Sequence, residues 1–274
     1  MNFVLKSYKF MKLKKTPIQK SICYSLFALA LLCIGCSKSE KSQPETSAAA
    51  PSPAASAPAP VDKSTVGAIA GIVVFKGSPM KFPAIDMTQD PTCPTDPQTP
   101  DVMLVNKGKL ANVFVYVKDG LGPMALPAPT QPAVLDQKGC RYAPHVMGLM
   151  VGQPLKIVNN DLTEHNVHPL PRNNGNWNES QMPRGNPITK TFQHPETMMP
   201  VQCSQHPWMK AYLSVLPHPY FAVTGQEGGF QIVDLPPGEY TLAAIHEKFG
   251  EQTMKIKVGP RQTAKADFAF ASGQ

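Results

Sequence analysis

The sequence lacks the features that mark the most common enzyme classes. Charged residues make up only 16% of its 274 residues and aromatic residues 8%. Helical periodicity is scarce, which argues against a mainly helical protein. We find no nucleophile elbow, no phosphate-binding glycine loop, no His-Glu-x-x-His zinc motif and no recognisable pair of catalytic carboxylates. An enzyme is therefore the least favoured interpretation.

A long apolar run is also lacking. Residues 22–35 are apolar, but they are fewer than the roughly 20 that a membrane-spanning helix needs. They follow a lysine-rich start, the pattern of a secretory signal. The segment 32–36, Leu-Cys-Ile-Gly-Cys, resembles a bacterial lipobox, which implies a signal peptide at 1–35 and lipidation of Cys36. Cys33 is unusual in this pattern, and an uncleaved anchor is the alternative; both place the chain in an exported, oxidising compartment.

Positive charge is concentrated at the N-terminus. The formal net charge is +7, yet residues 1–35 contain six lysines and no acidic residue. The rest of the chain is nearly neutral, so its charge gives no reason to expect a nucleic-acid partner. Residues 36–65 are dominated by Ala, Pro and Ser, which predicts a disordered tether between the membrane and the folded part.

Proline and glycine, 30 and 19 residues in all, divide the rest of the chain into short segments. Residues 85–105 and 120–140 are proline-rich and are predicted to be long loops. Several strands at this spacing predict an all-β sandwich. Alternating apolar residues predict strands at Ala68–Phe75, Asn112–Val117, Pro154–Asn159, Pro200–Cys203, Ala211–Leu216, Phe221–Thr224, Phe230–Val233, Tyr240–Ile245 and Thr253–Val258.

Soft metal ligands are concentrated near residue 203. Cys203, His206 and Met209 fall within seven residues, and a thiolate, an imidazole and a thioether suit copper better than magnesium or calcium. Upstream, a predicted strand is followed by polar residues and then by His165-Asn-Val. The alternative is a buried cysteine beside an incidental histidine and methionine.

The two segments, taken in this order, resemble the ligand motifs of the cupredoxin family. The resemblance implies a Greek-key β-sandwich at residues 66–216 that holds one copper ion in a type-1-like site, cycling between Cu(I) and Cu(II). It further implies three strong ligands and one axial ligand. The His-x₂-Met spacing is shorter than in plastocyanin-like members, which leaves the axial position open between Met209 and a substitute, His168. The strong ligands implied are His165, Cys203 and His206.

Three cysteines lie outside residues 1–36. With Cys203 assigned to copper by the resemblance, Cys93 and Cys140 are expected to form a disulfide, and free thiols are the alternative. His145 is expected to make hydrogen bonds rather than to bind metal.

The C-terminal part resembles a second family. Residues 229–246 contain Phe-Gln-Ile, Leu-Pro-Pro-Gly and Tyr-Thr-Leu, and they resemble the carboxypeptidase regulatory-like, transthyretin-like β domain. This implies a small antiparallel β-sandwich at 217–272 without peptidase activity. Residues 68–77 resemble the opening strand of such a module, which allows the small domain to borrow a strand from the N-terminal end.

As a whole the sequence resembles exported bacterial cupredoxin-domain lipoproteins. The resemblance implies a periplasmic, lipid-anchored copper protein that exchanges single electrons with another exported redox protein, such as a cytochrome c. Two alternatives are a copper-delivery protein that holds Cu(I) without redox turnover, and a binding module of the cell envelope.

Overall fold

A computed structural model describes residues 61–124 and 126–272. The predicted signal peptide, Cys36 and all but the last residues of the predicted tether lie outside the described residues. The regular elements of the described part are β-strands, and its only helical segment is the 3₁₀ turn Asp101–Met103. The predicted all-β class is confirmed. Within these residues no helix has the length and apolar character needed to span a membrane.

The strands are numbered in chain order. They are β1 (Gly67–Lys76), β2 (Val105–Asn106), β3 (Lys109–Leu110), β4 (Phe114–Asp119), β5 (Ala133–Gln137), β6 (Tyr142–Ala143), β7 (Val146–Met150), β8 (Leu155–Asn159), β9 (His165–Pro169), β10 (Glu179–Gln181), β11 (Ile188–Lys190), β12 (Glu196–Gln202), β13 (Lys210–Leu216), β14 (Phe221–Val223), β15 (Gly229–Leu235), β16 (Gly238–His246), β17 (Gly250–Val258), β18 (Thr263–Lys265) and β19 (Phe268–Ala271).

Residues 133–216 form two facing sheets, which we call the central sandwich. One sheet has the order β10-β9-β12-β13-β7 and the other β11-β8-β5-β6. The pairs β13–β7 and β5–β8 are parallel, an orientation that strand spacing in the sequence does not reveal. Buried and part-exposed residues alternate along β8, as expected of a strand with one face on a core. The shared core includes the fully buried Leu135, Leu149, Leu155, Ile157 and Leu213.

The strands before and after this part, β1–β4 and β14–β19, form a second pair of sheets, which we call the terminal sandwich. One sheet has the order β15-β1-β3-β2, with β18 and β19 also paired to β1, and the other has the order β14-β4-β16-β17. The N-terminal strand β1 therefore shares a sheet with C-terminal strands. The boundaries 66–216 and 217–272 stay predictions, but strand pairing groups residues 67–119 with residues 221–271.

A small apolar cluster joins the two sandwiches. Phe114, Tyr116 and Ala243 of the terminal sandwich pack with Val146 and Leu216 of the central sandwich, and all five are buried. The cluster surrounds the point at which β13 leads into β14. It fixes the start of β7 and the end of β13, the two parallel strands next to the candidate site.

One predicted loop is partly wrong. Residues 120–140 contain β5, which lies between β8 and β6 and buries Leu135 completely. Its hydrogen-bonding partners come later in the sequence, and that pairing, more than the local composition, makes this proline-flanked segment a strand. The stretch between β1 and the 3₁₀ turn contains no strand, and it lies over the candidate site described next.

Candidate metal centre

Strand pairing brings His165 and Cys203 together. β12 ends at Gln202 and β9 begins at His165, and the two strands are antiparallel, with Gln202 opposite His168. Antiparallel pairing places the end of one strand beside the start of its neighbour. Cys203 directly follows β12, and continuing the register places it opposite Val167, two residues after His165 and near the start of β9.

The segment 203–209 is the tight connection between β12 and β13, whose ends pair at Gln202 and Lys210. Within it, the Cys203 N–H donates to the Met209 carbonyl at 3.3 Å, and the Met209 N–H donates to the His206 carbonyl at 2.8 Å. These bonds close the loop on itself. They leave the Cys203 Sγ atom 3.8 Å from the His206 Nδ1 atom.

The three predicted strong ligands form one buried cluster. One ligand atom from each of His165, Cys203 and His206 lies within 4.8 Å of the others. The two Nδ1 atoms are 2.9 Å apart. Nitrogens bound at about 2.0–2.1 Å to a four-coordinate ion lie roughly 3.4 Å apart, so the imidazoles need to separate by about half an ångström to admit one. The mixed sulfur and nitrogen donors fit a copper ion.

A carboxylate holds each imidazole at its other nitrogen. The Asp161 Oδ2 atom is 2.8 Å from His165 Nε2, and the Asp90 Oδ2 atom is 3.0 Å from His206 Nε2. In a neutral imidazole, a carboxylate that accepts the Nε2–H selects the tautomer with an unprotonated Nδ1, which is the form that can bind a metal. Both histidines are therefore oriented to present Nδ1 to the centre of the cluster.

Asp90 is itself held by two threonines. Thr92 donates to its Oδ1 atom through the backbone N–H at 2.9 Å and the hydroxyl at 2.6 Å, and the Thr163 hydroxyl donates to Oδ2 at 2.6 Å. Burial raises the pKa of Asp90, but the bonds from Thr163, Thr92 and His206 outweigh it and hold the pKa well below its usual range. The carboxylate is thus ionised and fixed in position.

Asp161 has a comparable set of donors. It accepts the backbone N–H groups of Gly139 and Cys140 at 2.6 and 2.8 Å. Burial raises the pKa of Asp161, whereas the bonds from His165 and from these two N–H groups lower it, and the net direction is downward. The turn at residues 139–140 therefore controls the position of His165 through this carboxylate.

The hydrogen bonds also affect the protonation of the metal-free cluster. Burial raises the pKa of Cys203, but hydrogen bonds from His165, from the backbone of Asn166 and from His206 outweigh it and lower the pKa to about 6. Burial lowers the pKa of His165, while Asp161 and Cys203 raise it to about 9. Near neutral pH the sulfur is mainly the thiolate, which is the form that binds metals.

Asn166 connects β9 to the 203–209 loop. Its Oδ1 atom accepts the Ser204 N–H at 2.7 Å and lies 3.3 Å from Cys203 Sγ, and its carbonyl accepts the hydroxyl of Tyr142. The sequence motif contained Asn166 but gave no reason for it. Its structural role is to tie the strand that carries His165 to the loop that carries Cys203.

The two candidates for the axial position differ in their surroundings. Met209 is 0% exposed and packs in the same core as Cys203. The His168 Nε2 atom instead lies 3.1 Å from Asn176 Oδ1. Strand residues three positions apart point to opposite faces, so His165 and His168 diverge. Among the described residues, the cluster with Cys203 and His206 includes His165 and leaves His168 out.

Trp208 covers one side of the cluster. Its ring centroid is 5.1 Å from that of His206, and its Nε1–H donates to the Cys140 carbonyl at 3.0 Å. Beyond it lies a cavity of about 280 Å³ that is also lined by His145 and Glu247. His145 hydrogen-bonds with Glu247 and with the Lys210 carbonyl, and it lies outside the three-ligand cluster.

Cys93 and Cys140, the pair predicted from the sequence, form a disulfide with a Cα–Cα distance of 5.6 Å. Both residues are buried. The disulfide joins the proline-rich loop that carries Asp90 to the turn whose N–H groups bind Asp161.

Sequence reasoning missed Asp90. It lies 116 positions before His206, in a segment predicted only to be a loop. The one local signal is the Asp-Pro-Thr sequence at 90–92, a composition typical of a side-chain-capped turn. That signal predicts a turn, and nothing in it points to a histidine.

Comparison with known proteins gives partial likenesses to copper proteins. No family model matches the chain, and no curated protein is similar enough to count as a match. Among solved structures, a copper-containing nitrite reductase from Thermus scotoductus SA-01 is similar at 21% identity and a TM-score of 0.30, over 37% of this chain and only 26% of the reductase. A purple cupredoxin from Nitrosopumilus maritimus is similar at 20% identity and a TM-score of 0.26, over 30% of this chain and 98% of its own. A mutant amicyanin in the Cu(I) state is similar at 18% identity and a TM-score of 0.28, over 37% of this chain and 97% of its own. Likenesses of this size do not by themselves assign a function to this chain.

Proposed function

We propose that the protein is an exported, membrane-tethered copper protein that carries one electron at a time. His165, Cys203 and His206 would hold a single ion, with Met209 in the axial position. The observation that carries this proposal is the convergence of two buried imidazole nitrogens and a buried sulfur within 4.8 Å of one another. Copper bound there would supply the Cu(I)/Cu(II) couple.

The residues around the candidate ligands support reversible one-electron transfer by a bound copper ion. Asp161 and Asp90 fix the two imidazoles through Nε2, and the hydrogen-bonded 203–209 loop fixes the sulfur relative to His206. Ligands held in this way need little rearrangement between the two oxidation states, because each is positioned by the protein rather than by the ion. The half-buried Trp208 packs on the His206 ring and provides a route for electrons towards the surface.

Export and tethering rest on the sequence of residues 1–65, with lipid attached at Cys36. The Cys93–Cys140 disulfide is consistent with an oxidising compartment such as the periplasm. Another exported redox protein, such as a cytochrome c, would be the partner. The nearly neutral chain after residue 35 suits a weak, transient encounter.

A second candidate function is copper delivery without redox turnover. It is favoured by the lowered pKa of Cys203, because a thiolate that is already formed in the metal-free protein is ready to accept Cu(I). The short spacing between His206 and Met209 also favours it.

Spectroscopy of the copper-loaded protein separates these functions. A carrier should show an intense thiolate-to-Cu(II) absorption band and a matching electron paramagnetic resonance signal, both reversible with a mild reductant. Cys203→Ser should abolish the band, whereas Gln205→Ala, an exposed change in the same loop, should retain it. A colourless protein that binds only Cu(I) would favour delivery. Absence of stoichiometric copper in either oxidation state would contradict both functions.

A further inference from the structure

A second group of soft ligands lies beside the proposed copper site. One ligand atom from each of Cys93, Cys140 and His206 lies within 4.8 Å of the others. These residues are only 4%, 1% and 4% exposed. The two sulfurs are joined to each other in the structure, so only their reduction would make them available as ligands.

Interactions other than the S–S bond hold these cysteines near His206. The Cys93 N–H donates to the Asp90 carbonyl at 3.1 Å. The Cys140 N–H donates to Asp161 Oδ2 at 2.8 Å, and its carbonyl accepts the Trp208 indole N–H at 3.0 Å. These bonds do not depend on the disulfide, and we therefore expect both thiols to stay beside His206 after its reduction.

A reductant has a route to the disulfide. Cys93 lines a cavity of about 400 Å³ formed by residues 84–97 of the proline-rich loop. Thiol–disulfide exchange requires in-line approach of a thiolate to one sulfur. Cys93 lines this cavity and Cys140 does not, so we expect the attack to occur at Cys93.

We propose that reduction of the Cys93–Cys140 disulfide creates an alternative Cu(I) site made of Cys93, Cys140 and His206. The reductant is a dithiol: it transfers two electrons, its own disulfide forms, the Cys93–Cys140 bond breaks, and each freed sulfur takes up one proton. Binding of Cu(I) then releases both protons and leaves the oxidation state of copper unchanged. Two thiolates and one imidazole suit Cu(I).

His206 is common to the two ligand sets, so the state of the disulfide decides which set can hold the ion. With the disulfide intact, the cysteine and histidine that group with His206 in the described part of the chain are Cys203 and His165. When the disulfide is reduced, the Cys93 and Cys140 thiolates form a second ligand set with His206, and the two sets compete for the ion. The identity of the metal rests on the proposed function, but the existence of the second ligand group does not.

The test measures Cu(I) retention against a competing Cu(I) chelator in the absence of oxygen, by protein first incubated with or without a dithiol and then freed of the dithiol by desalting. It uses the Cys203→Ser protein, in which the first ligand set is broken. We expect no retention when the disulfide is intact and one Cu(I) per chain when it is reduced. In the reduced Cys203→Ser protein, the further substitutions Cys93→Ser and Cys140→Ser should abolish Cu(I) retention. The further substitution His206→Ala should weaken the Cu(I) affinity more than about tenfold.

Retention that does not depend on reduction, or that survives loss of Cys93 and Cys140, would overturn the inference. So would loss of the near-ultraviolet circular dichroism of the metal-free protein on reduction, because the site needs the fold to hold both thiols. If the Cys203→Ser protein does not fold, the same measurement is made on the wild-type protein. Reduction should then tighten its Cu(I) binding at least tenfold, and it should leave the Cu(I) binding of the Cys93→Ser/Cys140→Ser protein unchanged.

The outcome for the proposed function is separate. Failure of the oxidised wild-type protein to bind copper would contradict the proposed function, and the reduced Cys203→Ser protein would still test the second ligand set.

Discussion

The Asp90 carboxylate lies 3.0 Å from the Nε2 atom of His206, although the two residues are 116 positions apart in the sequence. Asp90 belongs to the proline-rich loop that lies over the candidate site, and Thr92 and Thr163 hold its carboxylate in place. The loop therefore places a negative charge beside His206. It also limits contact between His206 and water, since that residue is only 4% exposed.

Asp90→Asn should weaken copper binding about 10- to 100-fold and raise the reduction potential. The potential rises because the removed negative charge stabilises Cu(II) more than Cu(I). Chelator competition and redox titration measure the two effects. Asp86→Asn is the matched control: Asp86 makes the same kind of turn with Thr88, at 2.6 Å from its hydroxyl, but it is exposed, and no described histidine hydrogen-bonds with it. Equal effects of the two substitutions would show that the carboxylate at Asp90 has no special role.

Met209→Gln should lower the reduction potential while the thiolate band is retained. An amide oxygen is a harder ligand than a thioether and favours Cu(II) over Cu(I). Redox titration followed by visible absorption measures the shift. Met199→Gln places the same polar group in the same core outside the 203–209 loop and should leave the potential unchanged. An unchanged potential in Met209→Gln would mean that Met209 only fills the core.

The metal-free protein should contain a thiolate at neutral pH. The pKa of Cys203 is lowered to about 6, so its ultraviolet thiolate absorbance should rise as the pH increases through that value. Cysteine thiols without such partners titrate near about 8.5, which separates them from this transition. Cys203→Ser should remove the transition, because Cys203 is the free cysteine of the described part of the chain. A transition at the ordinary value would contradict the lowered pKa of Cys203.

His246 should make the terminal sandwich less stable in acid. It is 1% exposed, stacks on Phe249 with ring centroids 4.8 Å apart, and its Nε2 atom has no hydrogen-bond partner in the described part of the chain. Burial lowers its pKa from 6.5 to about 4. Between these values the unfolded chain binds a proton that the folded protein does not, so the free energy of unfolding falls as the pH decreases.

The full effect of His246 amounts to roughly 3 kcal/mol, is absent above about pH 6.5 and is complete below about pH 4. Denaturant unfolding at several pH values measures it. His246→Phe should reduce the loss of stability across this window, whereas His194→Gln, a change at an exposed histidine, should not. Identical pH profiles for the wild-type and His246→Phe proteins would show that this histidine is protonated equally in both states.

The positions of the strands along the chain could be predicted from the sequence better than the pairing of the strands in the sheets. β8, β13 and β16 have local alternation of apolar and polar residues, and the predictions at 154–159, 211–216 and 240–245 match them within two residues. β5 has no comparable signal, because its place between β8 and β6 depends on partners elsewhere in the chain. The same applies to β1, whose neighbours β15, β18 and β19 lie near the other end of the sequence.

The sequence by itself determined the all-β class and the closeness of Cys203 and His206, whose Sγ and Nδ1 atoms are 3.8 Å apart. Two side chains three residues apart need only one turn to meet, and strand alternation reflects a local choice of side-chain direction. Only the tertiary structure decided that Asp90 holds His206, that Asp161 holds His165 and that a disulfide lies beside both. These contacts form where loops and strand ends that are distant in the sequence pack together. A local residue pattern does not predict them, because it depends only on neighbouring positions in the chain.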